Sequence, residues 1–529
     1  MTVVTGLFLF SNTQLFTPLQ YKDLEVKLPT DFDEHDLRKL ISKKIQVKKF
    51  RYEILLQSLD ARYKPDVHWQ VRVRVISDEI KGNNYVPEPG LAIPFKKRKQ
   101  KVVVAGSGPA GYFAGFTLQQ AGFEVVIIEK GPKVDRRFRD IVEFEAGGSF
   151  KPESNYCHGE GGAGTFSDGK LTSRTKGIAP EKKFVFDSYI RAGAPAEIGY
   201  LAKPHIGSDI LRIVIPNLRK QFEAIGGKMI FDEEVSGLEI KHGKCTAVQT
   251  TNHGIPCDWF VLAPGHSSYK TYRMMQQHGI QFRPKPFAIG VRVEHPQELI
   301  NQSQWFTPKL SGIKAAEYKL THTASNGLPV YSFCMCPGGK VIPSAPADFQ
   351  NIVNGVSDYA RKSPYANSAI VVGTDLNKIL GKEAGFHEAL AWLEELERKV
   401  YRLTNSYKVP GALISGFISK KSTGIIPANS YPFDVFPFDF DQLFPEDMVT
   451  ALREGLTDFS KKISGFETGL MLGLESKTSS PVQVIRDENR LCSGFENVFI
   501  VGEGSGYTGG ITSSAVDGVK LGVDLAKRR

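Results

Sequence analysis

Short apolar runs followed at once by glycines stand at two places far apart in the chain. Residues 102–104 are consecutive valines, and the run FEVVIIE follows about twenty residues later. Each run predicts a buried parallel strand, with a helix between the two. A third run, NVFIV at 497–501, precedes a second glycine-rich turn and a helix from Ile511. The pattern predicts a Rossmann-like α/β domain assembled from discontinuous segments of the chain.

The first turn, GSGPAGYFAG, has the residues that a dinucleotide needs. Gly106 permits the tight turn out of the strand, Gly108 lets the backbone approach a pyrophosphate, and Gly111 lets the helix pack against the sheet. Glu129 ends the second strand, at the spacing expected for a carboxylate that accepts the ribose hydroxyls. The alternative is an ordinary strand–turn–helix with incidental glycines.

The second turn, GEGSGYTGG, has the residues that a flavin needs. Glu503 follows Gly502 at the strand end, where a carboxylate accepts from the ribityl hydroxyls. Gly509 and Gly510 open the helix at Ile511, whose free N–H groups favour the negative charge of a reduced flavin. The alternative is a capped strand–helix unit. Together the two turns predict FAD.

A third glycine-rich segment, HGEGGAGTFSDG, matches the dinucleotide spacing through Gly159, Gly161 and Gly164, but no strand precedes it. It therefore predicts a loop that lies against the cofactor, since only backbone would separate the two. A separate nicotinamide domain is not expected, so NAD(P)H enters only as a transient electron donor without a dedicated domain.

The pattern of apolar and polar residues in the rest of the chain predicts one further helix and the domain boundaries. Residues 386–403 predict an amphipathic helix, with Leu390, Leu393, Leu396 and Val400 on one face. The predicted domains are an N-terminal α/β domain at 1–92, a linker at 93–100, a first FAD-binding part at 98–280, a mixed α/β substrate domain at 281–474 and a C-terminal FAD-binding part at 475–529.

Composition and charge narrow the class of protein. The apolar fraction of 41% suits a globular core, and six cysteines in 529 residues do not make a disulfide framework. Neither a signal peptide nor a membrane span is expected, and a cytoplasmic location fits best. Much of the net charge of +10 lies in the first hundred residues. The basic N-terminal part favours solvated surfaces, and leaves open a nucleic-acid partner.

Several motifs carry a family resemblance. They are GSGPAGYFAG, ESNYCHGEGGAGTFSDGKLTSRTK, VLAPGHS, KPFAIGVRVEHPQELI, YSFCMCPGG, SKTSSPVQVIRDE and GEGSGYTGGITSSAVDG. They are similar to the motifs of the bacterial FAD-dependent dehydrogenases also called NAD(FAD)-utilising dehydrogenases, over most of residues 98–529. The resemblance implies a glutathione-reductase-type flavoprotein fold with a small ferredoxin-like N-terminal domain. The chain departs from the family pattern between about 375 and 425, which concerns the substrate pocket.

The candidate FAD-binding residues lie in these motifs and turns. They are Gly106, Gly108, Pro109, Ala110, Gly111, Glu129, Lys130, Arg137, Gly162, Gly164, Thr165, Val235, Ala263, Gly265, Gly502, Glu503, Gly509, Gly510 and Ile511.

Candidate catalytic side chains are fewer. Lys170 and Lys477 lie in motifs expected to face the flavin, where a lysine would stabilise the reduced anion, or else each is a surface lysine. His158 is either an acid–base group or part of a packed loop. Cys334 and Cys336 would share one face of a strand and relay electrons, or would be buried structural residues. No metal site is expected.

The sequence therefore predicts an FAD-dependent oxidoreductase that acts on a small-molecule substrate. An FAD-dependent RNA-modifying enzyme and a non-catalytic FAD-binding protein are the alternatives.

Overall fold

The computed structural model describes residues 19–63, 66–421 and 424–528. Its contacts divide the chain into two compact units, one ending at Pro89 and one beginning at Gly90.

The smaller unit is one helix against an antiparallel sheet. Its elements are β1 (Gln20–Leu28), α1 (Glu34–Ile45), β2 (Arg51–Asp60), β3 (His68–Ser77) and β4 (Asn83–Asn84). The sheet order is β2-β3-β1-β4, and all neighbours are antiparallel. This is the order of a ferredoxin-like sheet in which a short connection replaces the second helix. Asp33 caps α1 with a capping box, and the valines of β3 pack beneath the helix.

The elements of the larger unit follow in chain order. The first part contains β5 (Lys101–Ala105), α2 (Pro109–Gln120), β6 (Glu124–Ile128), α3 (Val134–Glu145), α4 (Ala179–Arg191), α5 (Ser208–Ala224), β7 (Lys228–Ile230), β8 (Val235–Lys241), β9 (Lys244–Thr250), β10 (Gly254–Pro256), β11 (Trp259–Leu262), α6 (Tyr269–Gln277) and β12 (Phe282–Pro284). The middle part contains β13 (Phe287–Pro296), α7 (Gln297–Trp305), β14 (Thr321–Thr323), β15 (Pro329–Cys336), β16 (Gly339–Pro343), β17 (Val353–Ser357), β18 (Tyr365–Thr374), α8 (Leu376–Leu380), α9 (Phe386–Arg402), β19 (Val409–Leu413), α10 (Ile414–Ser419), β20 (Val435–Pro437), α11 (Glu446–Lys462) and β21 (Leu470–Glu475). The last part contains β22 (Val482–Val484), β23 (Val498–Ile500) and α12 (Ile511–Lys527).

A five-stranded parallel sheet has the order β23-β11-β5-β6-β7. With β5 as the first strand, this is the strand order of a Rossmann-like domain. The predicted discontinuous assembly is therefore the observed one, since β23 joins the sheet beside β11. The strands β8, β9 and β10 form a separate antiparallel meander.

Two helices distant in sequence pack closely on this sheet. A Cβ added at Gly518 of α12 would collide with the carbonyl of Ala110 in α2, and one at Gly522 would lie 2.6 Å from Thr117. The glycines let the two helices approach, which brings the C-terminal segment against the first turn.

The second sheet has seven strands in the order β14-β15-β18-β13-β21-β19-β20, antiparallel except for β19 and β20. The α9 helix confirms the predicted amphipathic helix, with its leucines buried. β15 has a bulge between Phe333 and Cys336 against β18. Among the described residues, no helix has both the length and the apolar character to cross a membrane.

Candidate cofactor site

The acid at the end of β6 is bound to the first glycine turn. The Ser107 N–H and hydroxyl donate to one oxygen of the Glu129 carboxylate at 3.0 and 2.7 Å, and the Gly131 N–H donates to the other at 3.0 Å. Glu129 is buried. Three donors thus fix the carboxylate where the two parallel strands end, the edge at which such folds bind nucleotides.

The glycines of the first turn serve different needs. Gly106 has a φ of 101°, and a Cβ there would meet the carbonyl of Ala263. A Cβ at Gly111 would meet the carbonyl of Gly106 and lie 3.1 Å from the Ala263 side chain. The protein itself therefore requires both glycines.

Gly108 is different, because neither its backbone conformation nor any neighbour among the described residues requires a glycine there. Its φ is −64°, and a Cβ would have no neighbour closer than the Gly162 Cα at 3.8 Å. The space beside Gly108 is open at the N-terminus of α2, where the N–H groups and the helix dipole favour an anion. This open space fits the pyrophosphate of a dinucleotide.

Arg137 on α3 holds the loop at 155–165, which contains the glycine-rich segment without a preceding strand. We call it the second glycine-rich loop, or the second loop. Its guanidinium is fully buried and donates to the carbonyls of Asn155, Tyr156, Gly159, Glu160 and Gly162 at 2.8–3.3 Å. Burial lowers the pKa of this group to about 10, so it stays charged at neutral pH. The donors of Arg137 position this loop, and its contact with the cofactor stays a prediction.

The second loop lies against the first turn and the start of α12. The Gly161 N–H donates to the Ser107 hydroxyl at 3.2 Å. A Cβ at Gly164 would lie 3.3 Å from Ile511 and 3.8 Å from Pro109. Thr165 closes the loop by donating to the Glu160 carbonyl at 2.9 Å. Three segments that are far apart in sequence therefore meet at one place.

The C-terminal turn joins the same place from β23. Gly502 has a φ of 78°, and a Cβ there would lie 2.5 Å from the Ala110 side chain. A Cβ at Gly504 would lie 2.7 Å from the carbonyl of Gly265, which follows β11. The turns after β5, β11 and β23, which are neighbours in the parallel sheet, are thus in contact.

Glu503 has a partner that the sequence analysis missed. His266 Nδ1 lies 3.0 Å from the Glu503 carboxylate. Burial opposes ionisation of Glu503, but His266, the Gly510 N–H and Lys285 outweigh it and hold its pKa below the usual value. The position of His266, directly after a strand and its glycine turn, was the available signal.

The other nitrogen of His266 points to a missing ligand. Nε2 is buried and has no hydrogen-bond partner among the described residues. A buried ring nitrogen without a partner is costly, and a bound group that supplies one removes that cost.

Lys170 lies between the start of α12 and the second sheet. The Thr512 hydroxyl donates to the Leu171 carbonyl at 2.8 Å, which ties this loop to α12. The Lys170 ammonium lies 2.5 Å from Asp168 and also donates to the Met335 carbonyl on β15. Burial disfavours its charge, but Asp168 outweighs burial and raises the pKa of Lys170.

The other two catalytic candidates have different surroundings. The Lys477 ammonium is buried, lies 2.8 Å from Glu397 and contacts the Tyr269 hydroxyl, so its charge is used in an internal ion pair. His158 is buried, and burial together with Lys130 and Arg137 holds its pKa well below the usual range. This histidine is therefore neutral at pH 7.

Two other candidate FAD-binding positions lie at the β6 side of the site. Lys130 is half-buried next to Glu129, and Val235 is buried at the start of β8. Their contact with the cofactor stays a prediction, as it does for the whole set.

The arrangement as a whole fits FAD. Glu129 would accept from the adenosine ribose, Gly108 would border the pyrophosphate, and Glu503 would accept from the ribityl chain. The N-terminus of α12, after Gly509 and Gly510, would face the flavin ring. When bound, the flavin supplies two-electron redox chemistry that protein side chains lack.

Comparisons with known proteins agree with this site. Residues 101–136 match the family model described as an FAD binding domain, and residues 286–478 match the model described as FAD-dependent protein, C-terminal domain-like. An uncharacterized protein from Clostridium beijerinckii is 36% identical over 530 residues, which cover 95% of this chain and 98% of the relative.

Two solved structures show a coarser similarity. Glycine oxidase from Bacillus cereus is 11% identical with a TM-score of 0.36, covering 81% of this chain and 95% of that one. A geranylgeranyl bacteriochlorophyll reductase-like protein from Thermoplasma acidophilum is 11% identical with a TM-score of 0.36. The match covers 82% of this chain and 79% of that one. The match to the clostridial relative covers 95% of this chain at 36% identity. The protein therefore belongs to the family of FAD-dependent proteins that includes this clostridial relative.

Proposed function

We propose that this protein is an FAD-dependent oxidoreductase that exchanges an electron pair between its flavin and a small organic molecule. The observation that carries the proposal is the position of Lys170. This lysine precedes Leu171, whose carbonyl accepts from Thr512 at the start of α12, and its carboxylate partner Asp168 keeps it protonated. A fixed positive charge at this place would stabilise negative charge that builds on the ring during reduction.

The second sheet would form the substrate-binding side of the flavin site. β15 and the Lys170 loop approach each other through the Lys170–Met335 contact. A substrate domain placed against the flavin in this way would orient a small molecule and exclude water. The proposal includes three finer statements. The protein acts in the dehydrogenase direction, it is one of the NAD(FAD)-utilising dehydrogenases, and its fold is of the glutathione-reductase type.

The test begins with the cofactor. The purified protein should be yellow, and denaturation should release FAD, which chromatography separates from FMN. Anaerobic mixing with NADH, NADPH and a panel of small organic donors should identify a compound that bleaches the flavin band. Bleaching by NADPH or NADH would identify the transient nicotinamide donor.

A lysine variant then tests the role of the charge. Lys170→Met should keep FAD. The donor should reduce its flavin about 100-fold more slowly than in wild type, the loss typical of one preorganised electrostatic group. Lys183→Met is the matched control, because Lys183 is exposed and pairs with Asp187 one turn away on α4. Equal reduction rates in wild type and Lys170→Met would remove Lys170 from the mechanism. A bound flavin that no donor or acceptor turns over would favour a non-catalytic FAD-binding protein.

A further inference from the structure

We propose that Cys334 and Cys336 form a redox-active dithiol that exchanges an electron pair with the flavin. The inference rests on the proposed function, because it requires FAD at the site described above. It assigns a second redox centre to the substrate side of the flavin.

The backbone at Cys334 is the first observation. Cys334 has a φ of 41°, in the left-handed region that favours glycine, and it lies in the bulge of β15. Such a conformation is strained in a residue with a Cβ, and it is concentrated at functional sites. Bulges also re-aim side chains next to active sites.

The surroundings of the Cys334 thiol are the second observation. The residue is exposed. Even so, protein atoms around the thiol displace water and raise its pKa to about 12, against an opposing effect of Lys170. A buried structural cysteine, the other possibility in the sequence, does not fit this position.

The second thiol lies beside the same positive charges. Cys336 is buried, and its Sγ lies 3.7 Å from Nη2 of Arg292 and 3.3 Å from the Cys334 carbonyl. Burial raises the pKa of Cys336, and Lys170 and Arg292 oppose that shift. Both cysteines therefore have the same two cations, Lys170 and Arg292, to stabilise a thiolate as it forms.

A short path of contacts connects the thiols to the flavin site. The Thr512 hydroxyl bonds to Leu171 at 2.8 Å, and the neighbouring Lys170 donates to the carbonyl of Met335, between the two cysteines. The start of α12, where the flavin ring is proposed to lie, is thus separated from the thiols by one loop.

The i, i+2 spacing of the two cysteines is compatible with a disulfide. Alternate Cα atoms of a regular strand are about 6.6 Å apart, near the upper limit for a disulfide.

The reaction balances with oxidised FAD as the acceptor. Two S–H bonds break, one S–S bond forms between Cys334 and Cys336, and two electrons and two protons pass to FAD to give FADH₂. In the reverse direction FADH₂ reduces the disulfide to two thiols.

Anaerobic titration of the air-oxidised, FAD-loaded protein with dithionite tests the proposal. The wild type should take up about four electrons per bound FAD, two for the flavin and two for the disulfide. Cys334→Ser and Cys336→Ser should each take up about two, with the flavin still bound. Cys257→Ser is the matched control, because Cys257 lies with Cys245 in another buried pair, Sγ to Sγ 4.0 Å, and should leave the uptake at about four.

Differential alkylation of wild type gives a readout independent of the flavin spectrum and of variant folding. In the oxidised protein, peptide mass spectrometry should find Cys334 and Cys336 unlabelled and joined, and dithionite should make both available to the alkylating reagent. Flavin-loaded protein that takes up only two electrons and keeps both thiols labelled would overturn the dithiol alone. Protein that cannot bind FAD would overturn the proposed function.

Discussion

At the scale of single residues, Gly108 and His266 are two positions of the candidate site that offer space or a polar atom to a bound group. Gly108 has open space where a side chain would fit. His266 has a buried Nε2 without a hydrogen-bond partner among the described residues. Gly106, Gly111 and Gly502, in contrast, are needed for packing or for a positive φ. We expect these two residues to respond to the cofactor more than to folding.

Gly108→Val should yield folded but colourless protein. A valine is compatible with the backbone and with the neighbouring protein atoms, but its methyl groups would occupy the pyrophosphate space. Absorbance of the purified variant near the flavin bands measures this directly. Gly90→Val is the matched control, since Gly90 also has open surroundings, and it should stay yellow. A yellow Gly108→Val protein would mean that the cofactor lies elsewhere.

Glu503→Ala should weaken FAD binding by about 1.5–3 kcal/mol, the range for a lost hydrogen bond to a charged group. Titration of the apoprotein with FAD measures the change. An unchanged affinity would mean that Glu503 does not bind the ribityl chain.

The His266–Glu503 pair makes FAD binding sensitive to acid. The pKa of Glu503 is lowered from 4.5, so its contribution is present above that pH and is lost as the pH falls through the lower folded value. His266→Phe removes one cause of the lowering, and the loss of FAD should then begin at a higher pH. Flavin fluorescence during acid titration would report it. His35→Phe is the control, because His35 is exposed on the N-terminal unit. Overlapping curves for wild type and His266→Phe would contradict the pairing.

At the scale of elements, the second glycine-rich loop owes its shape to one side chain of α3. Five carbonyls of residues 155–162 accept hydrogen bonds from a single buried guanidinium. These residues form neither a helix nor a strand. The glycines in this loop allow the chain to turn tightly around Arg137. The loop is therefore preorganised beside the first turn before any cofactor binds.

Arg137→Met should destabilise the protein by on the order of 3 kcal/mol and weaken FAD binding, because buried carbonyls would lose their donors. Urea unfolding of the apoprotein and FAD titration measure the two effects. Arg136→Met is the matched control, because the neighbouring Arg136 is half exposed and pairs with Asp232 on the surface. It should cost about 1 kcal/mol or less. Similar stability of both variants would show that Arg137 is not the organiser of the loop.

At the scale of the whole molecule, the flavin site belongs to the unit that begins at Gly90. Each segment that meets at the site, from the first turn to α12, lies in that unit. The N-terminal unit has its own core of β1, β3 and α1. The two units therefore have separate hydrophobic cores, and the segments that form the candidate FAD site all lie in the second unit.

A chain that begins at Gly90 should fold and retain FAD. Its absorbance spectrum and FAD content per polypeptide measure the result against the full chain. Loss of the flavin from a folded fragment would show that the first 89 residues take part in the site.

The RNA-modifying alternative is tested on the full chain. Charge contacts of the basic N-terminal part should give weak RNA binding that moderate salt abolishes. Filter binding at two salt concentrations separates this from selective binding. Tight binding to one structured RNA in moderate salt would favour the alternative.

Much of the fold was predictable because its signals are local. The apolar runs of β5, β6 and β23 and the spacing of α9 depend on neighbouring residues only. The bulge of β15 was not predictable. Alternation placed Cys334 and Cys336 on one face, but the register against β18 shifts at this point and exposes Cys334.

The sequence by itself determined the parallel strands, the glycine turns and the acids that end or follow the strands, because backbone conformation and burial follow from short-range patterns. Only the tertiary structure decided which groups meet. In the folded protein His266 lies against Glu503, and Arg137 donates to the second loop. Lys477 is buried in an ion pair with Glu397. The physical reason is that these contacts join residues far apart in the chain, so strand order and loop packing set them.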